Sequence, residues 1–140
     1  MSRNADLFKS YLDTKDIKYS YFPAEEGRSE AVRVSFNGKN ADSIRMNFFF
    51  DENTNYINIK CFTVAKVNKD KIMDMYVLLN ELNNEYRWVK FYLDSDDEVT
   101  ASGDAILDAD TVGEECTEIL IRYVGIIDEV YPRIMKVLWA

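Results

Sequence analysis

Histidine, the residue that most often carries out acid–base catalysis, does not occur among the 140 residues of this sequence. Its absence removes the commonest transition-metal ligand and also the Ser–His and Cys–His pairs that activate nucleophiles. Carboxylate and lysine chemistry remain open, but no paired spacing marks candidate groups for either. The sequence therefore predicts a protein that is not an enzyme.

An acid-rich segment, Asp94-Ser95-Asp96-Asp97-Glu98, offers the carboxylate oxygens that calcium prefers. A calcium loop of the EF-hand type needs glycine at its sixth position, where this segment has Val99, and glutamate at its twelfth, where it has Ala105. A solvated turn explains the segment better. Ser102-Gly103-Asp104 also lacks the spaced glycines and the lysine of a phosphate-binding loop. We therefore expect neither a metal nor a cofactor.

Aromatic residues offer a sharper indication of function, and that function is binding. In the segment Phe48-Phe49-Phe50, a strand would place the two outer rings on one face and Phe49 on the other. If that other face is open, Phe49 joins Tyr56, Phe62 and Val64 in an exposed apolar patch, which is typical of an interaction surface. If helices cover both faces, all three phenylalanines belong to the core.

Further aromatic candidates lie later in the chain. Core packing explains at least two of the residues Trp88, Phe91 and Tyr92, and the third could serve a dimer contact. The candidate protein-binding residues are Phe49, Tyr56, Phe62, Trp88 and Tyr92. In the last predicted helix, Tyr131, Leu138 and Trp139 continue an apolar face, and we expect Trp139 to pack against either the sheet or a second subunit.

Hydrophobic periodicity predicts the elements that position these residues. Helices are expected at 5–17, at 68–84 and after Thr111, and strands at 19–22, 31–36, 44–50, 56–64, 88–93 and from the acid-rich turn to about Leu107. The order α-β-β-β-α-β-β-α, with an extra edge strand at Tyr19, predicts one α+β domain over residues 1–140. Its antiparallel sheet would have five or six strands flanked by three helices.

Three local signals refine the helices. Thr111, with Glu114 three residues later, matches the capping-box pattern of a helix start. Asn83-Asn84 is expected to fray the middle helix, because these side chains compete for backbone hydrogen bonds. Pro132 is expected to kink or interrupt the last helix, since proline lacks the N–H donor and clashes one turn back.

The charge of the chain is unevenly distributed and restricts its partners. Residues 1–70 hold 11 basic and 10 acidic groups, whereas residues 71–140 hold 6 and 15, for a net charge of −8. The acidic half should repel phosphate backbones and anionic lipid, so we expect neither nucleic acid nor membrane as partner. The segment 1–6 lacks the apolar run of a secretory signal, which predicts a cytoplasmic protein. In that compartment we expect Cys61 and Cys116 to be buried, inert thiols.

Three segments resemble the YbjN family. They are Asn80-Glu81-Leu82-Asn83, Val89-Lys90-Phe91-Tyr92-Leu93-Asp94 and Asp128-Glu129-Val130-Tyr131-Pro132. The family's turn often carries Asp-Gly, where this chain has Asp96-Asp97-Glu98, so the type of that turn is open. The resemblance implies the type III secretion chaperone-like fold and a role as a sensory transduction regulator. The chaperones that share this fold are acidic homodimers that hold an extended client segment across a sheet and its flanking helices.

The leading functional hypothesis is a non-enzymatic protein-binding module, chaperone-like or regulatory, that forms a homodimer and takes a protein or peptide client. The family resemblance, the acidic surface and the missing catalytic residues favour it. A small-molecule sensor with a pocket between the sheet and the helices is the alternative. A carboxylate-based enzyme is the least favoured hypothesis.

Overall fold

A six-stranded antiparallel sheet is the scaffold of residues 2–140, which are the residues that the computed structural model describes. The strands are β1 (Ser20–Phe22), β2 (Glu30–Phe36), β3 (Ile44–Phe50), β4 (Tyr56–Lys66), β5 (Lys90–Leu93) and β6 (Glu98–Ile106). They lie in the order β1-β2-β3-β4-β6-β5. The helices are α1 (Arg3–Thr14), α2 (Ile72–Glu85), after a short 3-10 turn, and α3 (Val112–Trp139). The predicted α+β fold and element order are confirmed.

Alternation along the strands divides the sheet into a dry face and a wet face. Val32 lies opposite Phe48, and Val34 lies opposite Met46; all four side chains are buried. The intervening residues, such as Arg45, point the other way, because successive side chains in a strand alternate between faces. This pattern is the one expected of an antiparallel sheet with a single buried face.

All three helices pack on the dry face. The ring of Phe8 in α1 lies 4.8 Å from the ring of Phe48, measured between centroids, and α3 adds Leu120 and Ile127 to the same core. Met75 of α2 extends the core toward β5. In the part of the chain that the structure describes, no helix covers the opposite face, which we call the open face.

A β-bulge interrupts the alternation of β4. The pairing with β6 shifts register between Cys61 and Ala65, and Thr63 within this stretch has φ of 53°, in the left-handed region. The bulge lets Val64 pack against the core instead of joining the exposed patch with Phe49, so that part of the prediction is wrong. Periodicity alone does not reveal a bulge, because the extra residue changes which face the following side chains reach.

The starts of two elements differ from the prediction. Trp88 precedes β5 and has φ of 78°, a conformation outside the strand region. Thr111 is the N-cap residue of α3, but its side chain makes no capping bond to the backbone; its hydroxyl donates to Glu115 at 2.6 Å, not to Glu114. The capping-box prediction therefore places the start of α3 correctly but names the wrong glutamate as the partner of Thr111.

The two predictions about helix continuity have different outcomes. The middle helix ends at Glu85, one residue after Asn83-Asn84, although Asn83 directs its side chain to β5 and not to its own backbone. The last helix continues through Pro132 without interruption. Proline leaves the carbonyl four residues earlier without its helical donor. That carbonyl, on Asp128, instead accepts a hydrogen bond from the side-chain amide of Asn40 at 3.1 Å.

Both cysteines are free and buried. Burial raises the pKa of Cys61 to about 11, and it raises the pKa of Cys116 as well. The thiols are therefore protonated at neutral pH, and a protonated thiol is a poor nucleophile and a poor metal ligand. Over residues 2–140, no helix combines the length and the apolarity that crossing a bilayer requires.

Candidate functional site

The open face carries four apolar side chains, which we call the apolar patch: Phe49, Tyr56, Phe62 and Ile106. Phe49 is partly buried, and the other three are exposed. Tyr56 lies directly opposite Ile106, and the rings of Phe49 and Phe62 meet edge to face with centroids 6.2 Å apart. Tyr56 is 59% exposed, Phe62 48% and Ile106 74%. The structure therefore brings together three of the predicted residues. Ile106 was missed because its strand reads as polar and ends there.

The other two predicted binding residues are not among the four that form the apolar patch. Tyr92 is exposed on the edge strand β5, opposite Thr100, and its register places it on the open face. Trp88 is exposed beside α3, where its carbonyl accepts a hydrogen bond from the Tyr123 hydroxyl at 3.2 Å. The Arg122 guanidinium lies over its ring at 5.5 Å. Trp88 is therefore fixed by contacts of its own with α3.

The end of α3 separates the three residues predicted there. Tyr131 and Leu138 are partly buried against the core. Trp139 is 84% exposed and does not pack on the sheet. The next residue, Ala140, accepts a hydrogen bond from Nζ of Lys71 at 2.5 Å, which places the end of α3 near the start of α2. Trp139 therefore remains available for a partner.

Basic residues lie beside the apolar patch, around a depression of about 370 Å³. Its lining is Arg33, Ser43, Arg45, Asn47, Phe62 and Thr63. Nε of Arg33 donates to Oδ1 of Asn47 at 2.8 Å, and the guanidinium lies 4.7 Å above the ring of Phe22. The sequence does not reveal these two arginines as a pair, because they are far apart in the chain and only strand pairing brings them together. In the sequence, both arginines alternate with valine, isoleucine and methionine, and this alternation indicates only that they lie on the face opposite the core.

The acid-rich turn brings Asp94, Asp96 and Glu98 together, with carboxylate oxygens within 4.8 Å of one another. Asp94 is engaged within the turn: one oxygen accepts the N–H groups of Asp96 and Glu98, and the other accepts the hydroxyl of Thr100. Partial burial by itself raises the pKa of Asp94, but these hydrogen bonds lower it below its ordinary value. The arrangement holds a hairpin turn, in which Asp97 takes φ of 60°.

One buried carboxylate was not predicted. Glu30 at the start of β2 accepts hydrogen bonds from the backbone N–H of Ser2 at 2.8 Å and from the hydroxyl of Tyr21. The bond to Glu30 raises the pKa of Tyr21 to about 12. Both oxygens of Glu30 are thus occupied, and the arrangement ties the start of α1 to the sheet.

Comparison with known proteins identifies the family of this chain. The family model for YbjN, described as "Putative bacterial sensory transduction regulator", matches residues 4–135. The chain belongs to the YbjN family. The crystal structure of YbjN from E. coli, described as "a putative transcription regulator", has a TM-score of 0.59 and 14% identity, covering 92% of each chain.

A second solved structure similar to this chain is that of an uncharacterized protein from Methanothermobacter thermautotrophicus. Its TM-score is 0.57 at 14% identity, and the match covers 93% of this chain and 98% of that one. At such identity the two structures establish the fold alone. A search of curated proteins finds no significant sequence match.

Two of the YbjN segments recognised in the sequence join separate elements of the fold. Asn83 of α2 pairs with the edge strand β5: its Oδ1 accepts the N–H of Phe91 at 2.8 Å, and its Nδ2 donates to the carbonyl of Phe91 at 2.9 Å. Asp128 of α3 binds the loop between β2 and β3, where its carboxylate accepts the N–H groups of Lys39, Asn40 and Ala41. These residues therefore connect the helices to the sheet, and they do not contribute to the open face.

Proposed function

We propose that this YbjN-family chain is a non-enzymatic regulatory module that binds a protein client on the open face of its sheet. One observation carries the proposal: the helices cover one face only and leave the apolar patch exposed on the other. Contiguous exposed apolar side chains, rimmed by polar residues, are typical of protein interaction sites. An extended client segment laid across the strands would cover the patch, as the chaperone-like fold expected from the sequence suggests.

The distribution of perturbed acids supports a non-enzymatic role. The carboxylates with a lowered pKa are Glu85, Asp94 and Asp128, and each belongs to a different hydrogen-bonded set. For Glu85 the main cause is the paired hydrogen bonds from Arg133. Catalytic acids and bases usually have perturbed pKa values together in one cleft. Here each shift has a structural cause of its own.

The concavity between the sheet and α3 is small for a ligand pocket. It measures about 230 Å³ and lies among residues such as Ile44, Cys61, Ile127 and Tyr131. Pockets for small molecules usually measure roughly 300–1,000 Å³. The size of this concavity argues against a sensor pocket between the sheet and α3.

We further infer that the chain forms a homodimer through a second surface on its helices. Met73, Tyr76 and Val77 are exposed on one side of α2, and Trp139 lies close by at the end of α3. Apolar side chains of this kind match a second copy of themselves without any need for complementary charge. We place this homodimer in the bacterial cytoplasm, where free thiols persist.

Site-specific cross-linking tests the proposed client surface. A photoreactive phenylalanine analogue would replace Phe62 or Tyr56, and Ile121, which is 62% exposed on α3, would serve as the control position. After illumination in an extract of the source cells, we expect one protein to be captured from Phe62 and Tyr56 and not from Ile121. Adding the substitution Ile106→Ser should abolish that capture. Equal capture from all three positions would refute a client site on the open face.

A further inference from the structure

The open face has cations that form no ion pair with a described residue, although the chain as a whole is acidic. Arg33, Arg45 and Lys60 point to this face from three adjacent strands. Every ion pair found among residues 2–140 lies elsewhere, and none includes these three cations. In a chain with a net charge of −8, cations left unpaired on one face favour an anionic partner there.

Arg33 is held in place before any ligand arrives. Asn47, which is buried, accepts from its Nε at 2.8 Å, and Asn47 is itself fixed by donating to the carbonyl of Lys60 at 3.2 Å. The ring of Phe22 supports the guanidinium from below. The terminal nitrogens of Arg33 make no hydrogen bond to any described residue. Because the side chain is already ordered, less conformational entropy is lost when it binds.

The depression beside Arg33 presents mainly hydrogen-bond donors. Besides Arg33 and Asn47, its lining is formed by Arg45, by the hydroxyl-bearing residues Ser43 and Thr63, and by Phe62. The hydroxyl of Thr63 reaches the carboxylate of Glu98 at 3.4 Å, so one acid borders the site at the β6 side. Two guanidinium groups with flanking hydroxyls suit a carboxylate, which can accept paired N–H bonds from arginine.

We propose that this depression binds an aspartate or glutamate of the client, next to a large apolar residue that packs on Phe49 and Phe62. The inference rests on the proposed function and adds the chemistry of the client: an extended acidic and apolar segment of a protein. The ring of Phe62 lines the depression and meets the ring of Phe49, so one short segment can reach both the cations and the patch.

A protein segment fits this site better than a nucleic acid does. Phosphate backbones are bound by long basic surfaces, and affinity grows with the number of phosphates that are neutralised. Here the basic row is short. Ser102 lies opposite Lys60, and Lys90 beyond it directs its Nζ to the carbonyls at the end of α2. Asp104, on the same strand as Ser102, accepts a hydrogen bond from Asn58 at 2.8 Å. The acidic remainder of the molecule would repel a longer polyanion.

Binding of two synthetic peptides tests the inference. One labelled peptide alternates aspartate with leucine, and the other has lysine in place of aspartate. Fluorescence anisotropy with the full chain should show tighter binding of the aspartate peptide, weakening as salt rises. Arg33→Gln with Arg45→Gln should weaken that binding about tenfold, a typical effect of losing a charged pair. Arg45→Gln alone, which removes no described hydrogen bond, should weaken it by a smaller factor.

Matched controls separate this inference from the proposed function. Arg3→Gln with Arg28→Gln removes the same charge away from the depression and should leave binding unchanged. Phe62→Ser should weaken binding of both peptides. Equal affinity for the two peptides, or no change in the Arg33/Arg45 variants, would overturn the inference of an acidic client. If Phe62→Ser still weakened binding in that case, the proposed client site on the open face would stand. Tighter binding of labelled oligothymidylate than of the aspartate peptide would overturn it in favour of nucleic acid.

Discussion

At the scale of single residues, Asp128 connects the last helix to the sheet. Its carboxylate accepts three backbone N–H groups of the loop 39–41, and its own carbonyl, which Pro132 leaves without a helical donor, accepts the amide of Asn40. Four hydrogen bonds thus meet at one residue. The arrangement requires a residue without a side chain at position 38, where the loop backbone passes close to the carboxylate.

Gly38→Ala should destabilise the fold through this contact. A Cβ at Gly38 would lie 2.1 Å from Oδ1 of Asp128, so the carboxylate would have to leave its N–H partners. We expect a loss of about 1–3 kcal/mol in the free energy of unfolding, the usual range for overpacking. Urea denaturation measures it.

Gly125→Ala is the matched control, since a Cβ at Gly125 in α3 meets nothing within 4 Å. It should stabilise the protein by about 0.5–1 kcal/mol, because alanine is the better helix former. In an Asp128→Ala background the cost of Gly38→Ala should become small. An equal cost in both backgrounds would show that the clash involves another group.

Asp128→Asn should alter the pH dependence of stability. The backbone N–H groups of Ala41, Asn40 and Lys39 hold the pKa of Asp128 below its ordinary value of 3.8. A depressed pKa stabilises the fold fully above the ordinary value, and this stabilisation is lost as pH falls through the folded-state pKa. The variant should therefore melt at a lower temperature than the wild type near about pH 7, and this difference should shrink below about pH 4. Thermal melts followed by circular dichroism measure both.

Asp42→Asn, an exposed change in the same loop, serves as the control for Asp128→Asn. It should melt like the wild type over the whole pH range. A melting difference for Asp128→Asn that persists unchanged into strong acid would mean that the carboxylate charge contributes nothing.

At the scale of elements, the end of α2 protects an exposed edge of the sheet. Edge strands present unpaired N–H and C=O groups to other chains, and proteins usually block them. Here Asn83 satisfies both backbone groups of Phe91 in β5. Lys90 donates to the carbonyls of Asn83 and Tyr86, where α2 ends. The helix and the edge strand therefore depend on each other.

Asn83→Ala should loosen this edge. The substitution removes both hydrogen bonds to Phe91, and we expect a loss of about 1–3 kcal/mol in the free energy of unfolding. Hydrogen exchange should show faster exchange of the Phe91 amide in particular. Asn84→Ala, one residue later on the exposed side of α2, should change stability by less than about 0.5 kcal/mol. Similar exchange at Phe91 in the two variants would exclude the proposed protection.

The elements were predictable wherever local periodicity and tertiary packing agree. The strands from Glu30 to Lys66 alternate cleanly, and the sequence places them correctly apart from the bulge at Thr63. Errors arise where a distant residue alters a local rule. Pro132 stays within α3 because Asn40 supplies a donor, and Trp88 keeps a left-handed conformation beside Tyr123. Single-sequence patterns carry no information about such partners.

The candidate site was predictable in part for the same reason. Alternation places Phe49, Tyr56 and Phe62 on one face, but whether a helix covers that face depends on how the whole chain packs. The depression depends on strand register, which pairs Ser35 with Arg45 and Arg33 with Asn47. Residues distant in sequence thus form one cationic site that no linear motif describes.

At the scale of the whole molecule, two exposed apolar surfaces lie on different sides of the fold. The open face carries the apolar patch and the unpaired arginines, and the helical side carries Met73, Tyr76, Val77 and Trp139. A second copy bound to the open face would compete with a client for the same side chains. The helical side lacks this conflict, and its use would leave the open face free for a client.

Sedimentation velocity tests this division between the two surfaces. The wild type should sediment as a dimer, and Trp139→Ser with Tyr76→Ser should raise the dimer dissociation constant at least about tenfold, since exposed aromatic residues often dominate interface energies. Ile121→Ser on the exposed side of α3 is the control for lost apolar surface. Phe62→Ser should remain dimeric, because it changes only the open face. If Phe62→Ser dissociates and the Trp139/Tyr76 variant does not, the second copy occupies the open face, and client binding must then compete with dimerisation.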